Sequence, residues 1–134
     1  MSIRVEVNKE NTYKSLVDLD SFLKIVFPNN ELHQEIAKAI IEYLVEHKQA
    51  YLMTELIPYI REVKKIKHDK VTYPKEIEET IVSKDTIAKV FKMMWRSGLI
   101  SKPYRYYPVK LSKVFSSRLR DLADYWERYV DKYG

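Results

Sequence analysis

The chain of 134 residues contains no cysteine. That excludes disulfides, thiolate zinc sites and cysteine nucleophiles together. Glycine is almost missing as well, with Gly98 and Gly134 the only two. Phosphate-cradling loops need several glycines at fixed spacing, so neither a P-loop nor a dinucleotide fingerprint can be built. Apolar runs are short, Ile25-Val26-Phe27 being typical, whereas a membrane-spanning helix needs roughly 20 apolar residues. Met1-Ser2-Ile3-Arg4-Val5-Glu6 alternates apolar and polar side chains and lacks the apolar core of a secretory signal. The expectation is a cytoplasmic protein with no membrane partner. His33, His47 and His68 lie on separate segments and none has a second ligand four residues away, so no metal, no cofactor and no catalytic residues are expected. Scarce glycine and glutamine beside many Lys, Glu, Ile and Tyr resemble the composition of a heat-adapted protein.

What the chain does have is enough apolar matter for one core: 46% hydrophobic against 32% charged residues, too apolar for disorder and the right length for a single domain. Its net charge of +5 is unevenly spread. Residues 1–63 carry −3, 64–75 carry +4, 76–82 carry −3, 83–113 carry +7, and 114–134 are neutral. A cationic excess gathered into two segments is what a face that meets a polyanion requires, although a lysine-rich solvated loop has the same composition.

Periodicity supplies the elements. Ile3, Val5 and Val7 alternate like a half-buried strand, and a short helix before Pro28 is capped by Asp20 or Ser21. Asn30 caps a helix of about 17 residues whose Leu32, Ile36, Ile40 and Leu44 recur every fourth position. A short strand at Ala50-Tyr51-Leu52 precedes a helix capped by Thr54. Residues 65–82 break any period; Ile77 and Ile81 suit one or two helical turns, and Glu76, Glu78 and Glu79 read as a solvated run. Lys84 to Ser97 form the clearest helix, with Ile87, Val90, Phe91 and Met94 on one side and Asp85, Lys89, Lys92 and Arg96 on the other. Ser83 caps its start and Gly98 suits the left-handed position past its end. Ser116 or Ser117 caps a last helix, whose Phe115, Leu119, Leu122, Trp126, Tyr129 and Tyr133 follow a heptad seam.

The run from Ser83 to Ile100, with Thr86-Ile87 after the cap, a basic helix and then Gly98-Leu99-Ile100, resembles the recognition helix of winged helix-turn-helix proteins. The pattern is the one shared by regulators of the MarR and PadR type, and Val109-Lys110-Leu111-Ser112 resembles the strand that closes their wing. The resemblance implies a mainly α fold with a small β-wing (α+β) and a C-terminal helix. Residues 1–30 would form an N-terminal arm, 31–113 the winged-helix domain, and 114–134 a possible dimerisation element. It further implies double-stranded DNA as partner, transcriptional regulation by occupancy of a promoter site in the nucleoid, and no enzymatic activity. Such a helix buries one face and offers the other to the major groove. Lys84, Asp85, Thr86 and Lys89 then stand nearest base edges, and Lys89, Lys92 and Arg96 reach phosphates. Asp85 either reads a base or offsets the helix dipole.

The wing, Lys102 to Pro108, alternates basic and aromatic residues; Lys102, Tyr104, Arg105 and Tyr107 are its candidate DNA contacts, while strand alternation also allows Tyr104 and Tyr106 to pack inward and leave Tyr107 outside. The family's turn between its second and third helices is short, so residues 65–82 depart from the pattern. They are either an inserted basic loop that adds Lys64, Lys65, Lys67 and Lys70 to the phosphate contacts, or they hold the true second helix near Lys75 to Thr80. Leu119, Leu122, Trp126, Tyr129 and Tyr133 would make a homodimer or pack back on residues 31–47. Two other roles share these features: a winged helix that binds an acidic protein of transcription or replication machinery, and a mobile-element protein for origin recognition or DNA packaging.

Overall fold

A computed structural model describes residues 18–72, 76–104 and 106–134. The expected strand at Ile3, Val5 and Val7, and Arg105 of the wing, lie outside the described residues. The rest is mainly helical with a small two-stranded antiparallel sheet.

The core is built outward from helix α2, Glu31–His47. Asn30 caps it as the sequence predicts, its side-chain oxygen accepting the His33 amide at 3.0 Å. The four-residue spacing of Ile36, Ile40 and Leu44 puts all three, with Ala37 and Ala39, under cover. Helix α1, Leu19–Val26, lies against α2 and adds Leu23 and the following Phe27 to the same cluster. Its cap is Asp18 rather than Asp20 or Ser21: Asp18 is extended, and its carboxylate accepts the Asp20 amide at 2.9 Å. Asp20 instead pairs with Lys38 of α2 at 2.8 Å, which raises the Lys38 pKa through the hydrogen bond and the opposite charge.

The next helical segment, α3, consists of two wide-turn stretches, Leu52–Leu56 and Tyr59–Val63. Thr54 lies inside it and is not its cap. Glu55 reaches back instead and accepts the Tyr51 amide at 2.7 Å and the Tyr43 hydroxyl at 3.2 Å. Amides here bond five residues back, Leu56 to Tyr51 and Lys64 to Tyr59. The widened turns surround Pro58, which has no amide to give and whose ring crowds the carbonyl four residues earlier.

Residues 66–72 and 76–82 form a ribbon, not helical turns. Strands β1, Lys67–Thr72, and β2, Glu76–Ile81, pair antiparallel from Lys67↔Ile81 to Thr72↔Glu76. Val71, Thr72, Ile77, Thr80 and Ile81 are β-branched and favour extended chain. Glu76 to Thr80 are therefore strand, and the alternative of a second helix there does not hold among the described residues. The ribbon is anchored at its base by buried Ile66 and Val82, joined by the Val82 amide to the Ile66 carbonyl at 2.9 Å.

Helix α4, Lys84–Ser97, follows at once. Ser83 caps it through the Thr86 amide at 3.2 Å, and Gly98 closes it in the left-handed conformation at φ 91°. Ile87, Val90, Phe91 and Met94 are all buried and α4 packs against α2. The chain then runs out and back. Ile100 bridges Leu111, Tyr104 bridges Tyr107, and Val109 bridges Ala50 ahead of α3. Ile100, Val109 and Ala50 seal the underside of this hairpin.

Helix α5, Val114–Tyr133, leaves the body with no buried side chain. The Ser112 hydroxyl accepts the Val114 amide at 3.2 Å. Ser116 and Ser117 sit within its first turn and do not cap it. Its start is pressed onto Gly98, whose carbonyl accepts the Phe115 amide at 3.1 Å. A Cβ at residue 98 would come within 2.7 Å of that same amide nitrogen. Gly98→Ala thus meets both an unfavourable φ and a backbone clash, at a cost of about 2 kcal/mol or more. The melting temperature followed by circular dichroism should fall by roughly 6–10 °C.

Candidate nucleic-acid interface

Burying Ile87, Val90, Phe91 and Met94 leaves the other side of α4 no choice but solvent. Lys84, Asp85, Lys89, Lys92 and Arg96 are all exposed, and Thr86 is half-buried beside its cap. No ion pair between described residues engages Lys89, Lys92 or Arg96. Asp85 stands in the first turn, where a carboxylate offsets the helix dipole.

At the far end of α4 a second group of cations gathers round Trp95. The Arg96 guanidinium lies 5.6 Å and the Lys102 ammonium 5.8 Å from the indole ring centre. Arg118 of α5 donates to the Arg96 carbonyl. These residues, with Ser101 and Ser112, line an open cleft of about 380 Å³ that contains no acidic side chain. Arg118 escaped the sequence reading because it stands on the heptad helix, twenty-two residues from Arg96. Only the close approach of α5 to Gly98 brings the two together.

The hairpin carries this surface outward. Tyr104, Tyr106 and Tyr107 at its tip are 62%, 73% and 70% exposed. Inward packing of Tyr104 and Tyr106 therefore does not occur. The reason is the tight turn, in which the Tyr107 amide bonds the Tyr104 carbonyl at 3.1 Å beyond the edge of the core. The Tyr51 hydroxyl steadies the tip by donating to the Tyr106 carbonyl at 3.3 Å.

Lys64, Lys65 and Lys67 stand apart from this group. Lys64 is held by Glu42 of α2 at 3.6 Å and lies 5.9 Å from the Tyr59 ring. Lys65 and Lys67 are exposed at the foot of the ribbon, Lys65 with a positive φ of 52°. The ribbon itself is no basic loop: Lys70 stands opposite Glu78, Asp69 faces Glu79, and Glu76 closes the register.

Among the described residues no three His, Asp or Glu side chains gather where a metal ion could sit. No family model, curated protein or solved structure matches the chain.

Lys89 also touches the chemistry behind it. The pKa of His33, in the first turn of α2, is held below the ordinary histidine value, first by burial and second by the positive charge of Lys89. A lowered folded pKa means that the unfolded chain binds the proton more readily. The neutral His33 imposes no cost above the ordinary histidine pKa, and stability falls as the pH drops from there through the lower folded value. In Lys89→Ala the His33 pKa, followed by proton NMR, should rise part of the way back, leaving the share due to burial.

Proposed function

We propose that this chain is a winged-helix protein that binds double-stranded DNA as a homodimer and regulates transcription by occupying a promoter site. The observation that carries the proposal is the split character of α4: four apolar residues sealed in the core, and Lys89, Lys92 and Arg96 turned outward without carboxylate partners among the described residues. Chain order supports the same reading. Helices α2, α3 and α4 are followed by a hairpin that pairs back onto Ala50, as a wing does. The mechanism is occupancy: cations displace counterions from phosphates and give affinity, while Lys84, Thr86 and the wing discriminate among sequences. Arg96, Lys102 and Arg118 extend the phosphate contacts past the end of α4.

Fluorescence anisotropy with a mixed-sequence duplex tests this reading. Contacts to about 4–6 phosphates per subunit, about 8–12 for the dimer, imply micromolar or tighter binding at 50 mM salt that weakens by roughly four to six orders of magnitude at 200 mM. Lys89→Ala with Lys92→Ala removes two contacts from each subunit; it should reduce the salt slope of the dimer by about 4 and leave the melting temperature unchanged, since both side chains are exposed. Binding that is unaffected by this pair would overturn the assignment of α4.

One observation favours a second reading, a winged helix that docks on a protein. Strand β2 carries Glu76, Glu78 and Glu79 and ends two residues before Ser83, so an acidic strand leads directly into the end of α4 that would enter the groove. No duplex binding at 50 mM salt would select this reading.

A further inference from the structure

Helix α5 is a rod of about 30 Å that buries no side chain, yet it is the most aromatic element of the chain. Leu122, Tyr125, Trp126 and Tyr133 are 61%, 61%, 64% and 66% exposed, and Tyr129 and Val130 are close to half exposed. At 100° per residue these six, with Leu119, fall on one side of the helix; Arg120, Asp121, Asp124, Glu127, Arg128 and Asp131 fall on the other. Packing of the aromatic stripe back on α2, the alternative to a dimer, does not occur among the described residues: α5 meets the body at its root, through Val114 at Gly98, Phe115 edge-on to Phe22 at 5.6 Å between ring centres, and Arg118 on the Arg96 carbonyl.

We infer that the occupant of this face is α5 of a second copy, running antiparallel. The inference deepens the homodimer of the proposed function, and its test does not use DNA. Side-chain size along the stripe decides the direction. The first half carries Leu119, Leu122 and Ala123, and the second half Trp126, Tyr129 and Tyr133. A parallel pair would stack Trp on Trp, Tyr129 on Tyr129 and Tyr133 on Tyr133 at one end and leucine on leucine at the other, and helices held at one separation cannot accommodate both. An antiparallel pair at full overlap sets Leu119 against Tyr129 of the second copy and Leu122 against its Trp126, so that the layers between the two roots each join a small residue to a large one, while Tyr133 falls beside Phe115 at the root. The helix dipoles also oppose in this arrangement.

The area suffices. At roughly 150–250 Å² per aromatic side chain, the four aromatics of one stripe leave on the order of 500 Å² uncovered. With Leu122 and Val130, two stripes reach the ~1,200 Å² at which specific interfaces begin. Antiparallel α5 helices set the two bodies at opposite ends of a rod of about 30 Å, close to the ~34 Å of one DNA turn.

Two measurements decide the matter. Light scattering should give the mass of two chains, against 16.1 kDa for one. Trp126→Glu should raise the dissociation constant by about 30-fold or more with an unchanged circular dichroism spectrum, because Trp126 is exposed and the ring it stacks on, Tyr129, belongs to the same helix. A wild-type mass of one chain would overturn the inference. For direction, the absence of cysteine makes oxidative cross-linking clean. Leu119→Cys alone should give no covalent dimer, since the two positions would lie about 15 Å apart along the axis, beyond disulfide reach. Leu119→Cys combined with Tyr129→Cys should give one in high yield. A covalent dimer of the single variant would establish the parallel pair and overturn the direction while leaving the DNA reading intact. No covalent dimer from the double variant would overturn the layer pairing.

Discussion

The packing of α4 into the core governs the surface chemistry of this protein. Ile87, Val90, Phe91 and Met94 are buried with Ile36, Ile40 and Leu44 in one apolar cluster. Removing four such side chains from water is worth several kcal/mol, far more than any contact available to an exposed lysine. The rotation of α4 about its axis is therefore set from behind. Lys89, Lys92 and Arg96 face outward because the opposite stripe cannot.

A single residue then relays that orientation. Gly98 ends α4 in a left-handed turn and lets the backbone of α5 approach more closely than a side chain would permit. Because of that approach, Arg118 reaches the carbonyl of Arg96, and the cations at the end of α4 join those of the hairpin around Trp95. The same junction directs α5 away from the core and leaves its aromatic stripe uncovered. One glycine of the two in the chain thus positions both the charged cleft and the rod proposed to pair with a second copy.

The elements with a strong helical period were legible in the residues. Asn30 and Ser83 cap where their side chains suggest, and the buried stripes of α2 and α4 follow their spacing. Caps decided by reach were not legible. Glu55 serves the start of α3 from four residues inside it, and Ser112 serves α5 from outside the heptad seam. The ribbon at 66–82 was missed because its period is interrupted by like charges; Asp69 faces Glu79 across the strands, a pairing that local charge patterning gives no reason to expect. The wing tyrosines were half legible: alternation assigns faces to a strand, but it does not say where the core beneath that strand ends.

Along the chain alone, apolar spacing and capping chemistry determined that Lys84 to Ser97 is an amphipathic helix with cations on one side, because both depend on neighbours within about four residues. The tertiary structure decided what stands next to that side. Arg118 at its far end, the exposed tyrosines of the hairpin and the uncovered face of α5 are all set by contacts between segments distant in sequence. Such contacts are fixed by the shape of the shared core and the approach that Gly98 permits, and no local pattern of residue types encodes either.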